Sequence, residues 1–290
     1  MKKLLIILMC LLLIGCEEKE TYTFTGDDIN NFTIDNYSTL KTELKSLEYI
    51  VVDLSEMNVL YGKDIDKVIY PASLTKVLTM NAVLRNCNDL SETSSLSDEQ
   101  LQQLYNDNAS LAGIKTNRDY TIEELLYALI LPSGGDAAVA LENYLSNKGV
   151  NLVDEMNKIC EELGCSNSHF TNPTGLHDEN LYTTLNDLML IAIDTLQNDV
   201  GRQVLKTTTT RMHDGTVLGS TLSRSKNEYV EVLGGKTGST DESGQSVMIF
   251  YTVDNRSYML IVANAMNPGY RESLHLDDAI RVFEELYKKN

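Results

Sequence analysis

Strand-like sequence stands near both ends of this chain, and helical sequence fills the middle. Tyr49-Ile-Val-Val-Asp-Leu54 is a β-rich run, and Ser55 to Asn58 is a turn signal before Val59-Leu-Tyr61, which predicts a hairpin. From Ser73 to Leu84 the apolar positions recur at helical spacing. Ser97-Asp-Glu-Gln100 and Thr121-Ile-Glu-Glu124 are capping boxes, each expected to open a helix. Asp136 is expected to cap another helix, running through Leu145. Two further helical patterns run from Asn151 to Leu163, with Gly164 as a stop, and from Thr184 to Leu196. The period then returns to that of strands in Tyr229 to Leu233, Ser246 to Val253 and Ser257 to Asn264, the last two joined at Asp254-Asn255. Leu276 to Lys288 closes the chain as an amphipathic helix. The expected fold class is therefore α+β. An antiparallel sheet from the N- and C-terminal segments is flanked by helices, and a helical subdomain is inserted over about residues 80–205.

That arrangement brings three short elements within reach of one another: Ser73-Leu-Thr-Lys76, Ser133-Gly-Gly135 and Lys236-Thr-Gly238. Ser73 and Lys76 share one helix face, about 5–6 Å apart at Cβ. A serine hydroxyl at its ordinary pKa is a poor nucleophile and needs a base beside it. Lysine serves only if desolvation or a neighbouring cation lowers its pKa, and Lys236 is the candidate cation. Ser73 lies in a first helical turn, where unpaired N–H groups favour a developing anion. Ser133, in a turn between helices, can relay a proton to a leaving group. Lys236 and Thr237 offer an ammonium and a hydroxyl for a substrate carboxylate at the end of a strand, and Gly238 permits close approach. The backbone N–H groups of Ser73 and Ser239 then form an oxyanion hole, in which one donor is worth about 10²–10³ in rate. Taken singly, each element also reads as a solvated helix start, a helix cap or a glycine turn. Their occurrence together and in this order favours the catalytic reading.

The N-terminus reads as an address. Lys2 and Lys3 precede the apolar run Leu4 to Ile14, which is too short for a stable spanning helix. The run ends in Leu13-Ile-Gly-Cys16, similar to a bacterial lipoprotein signal in which Cys16 is lipidated; the alternative is an ordinary secretory signal. Residues 1–15 are thus expected to be a signal peptide, 16–45 a lipid-anchored tether and 46–290 the catalytic domain. Net charge is −18 and no basic cluster interrupts it, which argues against nucleic acid as a partner. Cys87, Cys160 and Cys165 read as small buried thiols, with a Cys160–Cys165 disulfide as the alternative. His169, His177, His213 and His275 are isolated, so neither a metal site nor a cofactor is expected.

The three elements together resemble those of penicillin-binding proteins and serine β-lactamases. Beyond them, Tyr120 to Ala138, Phe170-Thr-Asn-Pro-Thr-Gly-Leu-His-Asp178 and Gly234-Gly-Lys-Thr-Gly-Ser-Thr-Asp241 resemble the low-molecular-mass D-alanyl-D-alanine carboxypeptidases. The likeness runs from about Leu47 to Lys288. It implies a β-lactamase/transpeptidase-like fold, with Ser73 as acylated nucleophile, Lys76 as its base and Ser133 as proton relay. Lys236 and Thr237 would hold the terminal carboxylate of a peptidoglycan stem peptide. β-Lactams would acylate Ser73, and the enzyme would work outside the cell, held to the membrane by lipidated Cys16.

Two departures from the family stand out. The second element is most often Ser-x-Asn, and Gly135 occupies the Asn position, removing an amide that normally helps orient the base. The chain also ends after one helix, where many relatives continue into a second β-domain and an amphipathic anchor; Cys16 is expected to supply the anchoring. Asn172 and His177 read as loop scaffolding. Gly135 keeps open a weakly active or non-catalytic penicillin-binding sensor. A serine β-lactamase is the lesser alternative, because the stretch Ser168 to Asn172 lacks the glutamate that activates the deacylating water in class A enzymes. An esterase on the same fold is a further minor option.

Overall fold

The computed structural model describes residues 32, 34, 36–224, 229–254, 256–266 and 272–287. The expected signal peptide, Cys16, the first part of the tether, Asn255 of the hairpin turn and Lys288 lie outside the described residues.

A five-stranded antiparallel sheet forms the frame. Its strands are β1 (Glu48–Asp53), β2 (Asn58–Lys63), β7 (Glu231–Thr240), β8 (Gly244–Val253) and β9 (Arg256–Ala265), in the order β2-β1-β9-β8-β7. Two short ribbons, β3 (Thr93–Ser94) with β4 (Tyr120–Thr121) and β5 (Thr209–Arg211) with β6 (Val217–Gly219), lie outside it. The helices are α1 (Thr75–Asn86), α2 (Asp98–Asn106), α3 (Ile122–Ile130), α4 (Gly135–Asn147), α5 (Leu152–Leu163), α6 (Leu185–Gln197), α7 (Asp199–Lys206) and α8 (Leu274–Tyr287). This is the expected α+β architecture, with the helical middle of the chain inserted between the strands of its two ends.

Both faces of the sheet are covered, so its central strands read as continuous apolar runs. The side chains still alternate. Ile50, Val52, Met248, Phe250, Met259 and Ile261 join the core under the helical layer. Their neighbours Val51, Val247, Ile249, Tyr251, Leu260 and Val262 pack with Leu276, Ala279, Val282 and Phe283 of α8 on the opposite face. Both expected capping boxes form: Ser97 with Gln100 opens α2, and Thr121 with Glu124 opens α3. Gly164 ends α5 in the left-handed conformation. Cys87, Cys160 and Cys165 are free thiols.

Four expectations are corrected. Asp136 does not cap α4; Gly134 occupies the N-cap without a side-chain bond. Asp136 is fully buried instead, and its carboxylate accepts from the N–H groups of Ala112, Gly113, Ile114 and Ala137. Lys236-Thr-Gly238 does not follow a strand end but lies inside β7, which continues to Thr240 because β8 pairs with it throughout. The segment from Ser38 to Ser46, expected to be largely tether, is docked on the domain. Ser38 N donates to Leu60 O and Ser38 O accepts from Gly62 N, both in β2, Lys41 and Thr42 donate to Glu285, and Lys45 and Ser46 donate to Asp278. Finally, α7 was not foreseen; it is a two-turn helix opened by an Asn198 cap.

Candidate active site

Ser73 sits in a 3₁₀ turn, Ala72–Leu74, that leads directly into α1. Its backbone is held by close approach from two sides. A Cβ on Gly238 would come within 3.2 Å of Ser73 N, so glycine lets β7 lie against the nucleophile's turn. Gly175, at φ +74°, comes closer still: a Cβ there would lie 2.0 Å from Ala72 O. Ala72 and Ser133 both adopt the left-handed conformation, at φ +48° and +68°, which non-glycine residues seldom visit. The first is adjacent to the expected nucleophile and the second is the expected relay.

Two lysine–serine pairs converge here. Lys76 Nζ lies 3.0 Å from Ser73 Oγ and also meets the main-chain carbonyl of Thr174. Lys236 Nζ donates to Ser133 Oγ at 2.8 Å and to the Thr237 carbonyl at 2.7 Å. Burial disfavours the charged amine and lowers Lys76 to about 7, against a smaller opposing pull from Asp136. Burial likewise pushes Lys236 well below its ordinary value, and the charge of Lys76 pushes it further down. An amine poised near neutrality beside a serine hydroxyl meets the requirement for a base.

A cleft of about 1070 Å³ opens over this pair, lined by Ser73, Lys76 and Ser239 together with Gly135, Glu142 and residues 171–177. Ser133 and Lys236, 5% and 0% exposed, are not among the residues that line this cleft. Lys236 therefore faces Ser133 rather than open solvent, and Thr237 is the more exposed of the two. The Thr237 hydroxyl donates to Thr221 Oγ1 at 2.7 Å. Thr221 carried no recognisable pattern; it opens a 3₁₀ turn, Thr221–Arg224, and its N–H donates to Leu131 O. Thr174 was missed as well. Its contribution is a main-chain carbonyl, on which side-chain identity leaves no trace.

Comparison with known proteins agrees with this geometry. A profile of the D-alanyl-D-alanine carboxypeptidase family matches residues 35–267. The chain belongs to that family. Among curated relatives, it is 28% identical over 265 residues to D-alanyl-D-alanine carboxypeptidase DacF of Bacillus subtilis (strain 168), covering 87% of this chain and 67% of the relative. It is 32% identical over 199 residues to DacB2 of Mycobacterium tuberculosis, covering 67% and 66%. The chain thus spans about two thirds of the length of these two curated relatives. The crystal structure of a D-alanyl-D-alanine carboxypeptidase from Mycobacterium tuberculosis H37Rv superposes with TM-score 0.76 at 26% identity, over 89% of this chain and 97% of that one. The Streptomyces K15 DD-transpeptidase shares the fold, with TM-score 0.75 at 24% identity. Membership in the carboxypeptidase family fits a cleft built around a serine and a low-pKa lysine.

Proposed function

We propose that the protein is a serine-type D-Ala-D-Ala carboxypeptidase that removes the terminal D-alanine from peptidoglycan stem peptides through an acyl-enzyme on Ser73. The observation that carries this reading is Lys76 Nζ, lowered to about 7, hydrogen-bonded to Ser73 Oγ at 3.0 Å. Ser73 Oγ attacks the carbonyl of the D-Ala-D-Ala bond while Lys76 takes its proton. The N–H groups of Ser73 and Ser239 receive the oxyanion. The C–N bond then breaks, and a proton delivered through Ser133 lets D-alanine leave as the free amine. Water, deprotonated by the same lysine, hydrolyses the ester and returns Ser73. Thr237, and Lys236 acting through Ser133, supply the hydroxyl and positive field for the substrate carboxylate. A β-lactam presents an amide of the same shape and acylates Ser73.

The address segment completes the reading. Cys16, lipidated and left as the new N-terminus once residues 1–15 are removed, would tether the domain outside the cell, where peptidoglycan lies. Substituting Cys16→Ala should release the protein from the membrane fraction.

A fluorescent penicillin tests the chemistry directly. Residues 17–290 should become labelled, Ser73→Ala should not, and D-alanine should appear from a pentapeptide. No labelling of the unsubstituted protein would sink the acyl-enzyme. Gly135 favours one second reading, a penicillin-binding sensor, whose signature is labelling without D-alanine release.

A further inference from the structure

Lys76 can take a proton from Ser73 only if its lone pair faces Ser73 Oγ, and that orientation requires an acceptor for one of its N–H groups elsewhere. A base in a nucleophile–base pair is generally oriented by a third group. Gly135 offers no side chain for this task, and its own N–H is committed to Ser110 O at 2.7 Å. The acceptor that Lys76 does meet is the Thr174 carbonyl.

That carbonyl is held in place by one side chain. Asn172 Oδ1 accepts from Thr174 N at 3.1 Å, from Thr174 Oγ1 at 2.7 Å and from Gly175 N at 2.8 Å. Asn172 Nδ2 donates to Leu176 O at 3.1 Å, so residues 172–176 wrap around a single amide. The loop is pinned to the nucleophile's own helix where Thr79 Oγ1 donates to Pro173 O at 2.8 Å. It also abuts the nucleophile's turn where Gly175 meets Ala72 O. Thr174 is 6% exposed, so water does not compete freely for its carbonyl.

We propose that Asn172 is the positioning residue of Lys76: by holding the Thr174 carbonyl against the lysine amine, it does the orienting that Gly135 leaves undone. The inference rests on Lys76 acting as base toward Ser73. Asn172 need not touch substrate, and its effect on Lys76 passes through the Thr174 carbonyl. The charged groups acting on Lys76 are Asp136 at the start of α4 and Lys236 on β7, and substitution of Asn172 leaves both in place.

The test is the rate of acylation by a fluorescent penicillin between pH 5.5 and 9. Asn172→Ala should lower the alkaline plateau by about 10–100-fold, the usual penalty for losing a group that orients a reacting one. It should also move the half-rise to lower pH, since an acceptor lost from the ammonium disfavours the charged form. Asn172→Asp keeps all three acceptor contacts and loses the donation to Leu176 O. It should hold the plateau within the same order of magnitude and move the half-rise upward through its added negative charge. Asn157→Ala supplies the structural control, because Asn157 holds the start of the same loop through Phe170 N and O without reaching Thr174. It should lower the melting temperature and leave the half-rise unmoved. Should Asn172→Ala not fold, Asn172→Ser replaces it with the same expected directions. An unchanged plateau and half-rise in Asn172→Ala, or equal shifts in Asn157→Ala, overturn the proposal. Failure of the unsubstituted protein to acylate overturns instead the assignment of Ser73 and Lys76 on which it rests.

Discussion

Lys236 Nζ lies 2.8 Å from Ser133 Oγ, and both residues are buried rather than lining the cleft. The third element is thus bonded directly to the second. A buried amine needs partners, and Lys236 has two, one of them this hydroxyl.

Removing that hydroxyl affects both chemistry and stability. Ser133→Ala should lower penicillin acylation by about 10²–10⁴-fold, the range for loss of a proton-transfer group. It should also lower the melting temperature, because Lys236 loses a partner it cannot replace with water. Stopped-flow acylation and a thermal melt separate the two effects.

Acylation should rise with pH and reach half its plateau near pH 7. Lys76 must be neutral to accept a proton, and burial brings it to about 7 from its ordinary 10.5. A half-rise above pH 9 would contradict this assignment. The same shift makes the fold more stable as pH rises through this window. Above about 7 the folded protein has released a proton that the unfolded chain keeps until near 10.5, so the unfolded state binds more protons there. Lys76→Arg should abolish acylation, since guanidinium does not deprotonate in a protein.

Gly175→Ala should destabilise the protein by at least about 2 kcal/mol, from a left-handed backbone and overpacking together. The added methyl would lie 2.0 Å from Ala72 O, so the nucleophile's turn must move. Chemical denaturation measures the first effect. Loss of labelling at a temperature where the variant remains folded measures the second.

Asp136→Asn should cost about 2–4 kcal/mol, because an amide presents an NH₂ to main-chain donors that now meet a carboxylate. Asp136 also favours the charged form of Lys76, so the acylation half-rise should move to lower pH. A stability loss without the pH shift would show that Asp136 serves the loop at 112–114 alone.

The parts of the fold legible in the sequence were those with local causes. Ser97 and Gln100, or Thr121 and Glu124, announce a helix start through contacts three residues apart, and both boxes form. Ser73, Lys76, Ser133 and Lys236 drew notice in the sequence because the chemistry expected of them needs particular side chains, and the structure brings them together in two pairs. Non-local causes left weaker traces. The strand-like run of Tyr229 to Leu233 stops short of Lys236, yet pairing with β8 carries the strand on to Thr240. Asp136 looked like a cap because acids favour helix starts, but the donors it satisfies come from residues 112–114, far upstream. Asn172 read as scaffolding because its connection to Lys76 runs through a carbonyl, which every residue possesses.

The strand order has a consequence for when this enzyme can exist. β1 pairs along its length with β9, so Glu48 partners Ala263 and the first strand waits for the last. Through β8, β9 also fixes β7, which carries Lys236 and presses Gly238 against Ser73. Closing a loop of this length is entropically slow, and no shorter-range pairing substitutes for it. Ser73 therefore meets Gly238 only once β8 and β9 have joined β7 to β1, so the cleft around Ser73 and Lys76 is assembled by strands that lie far downstream of both residues.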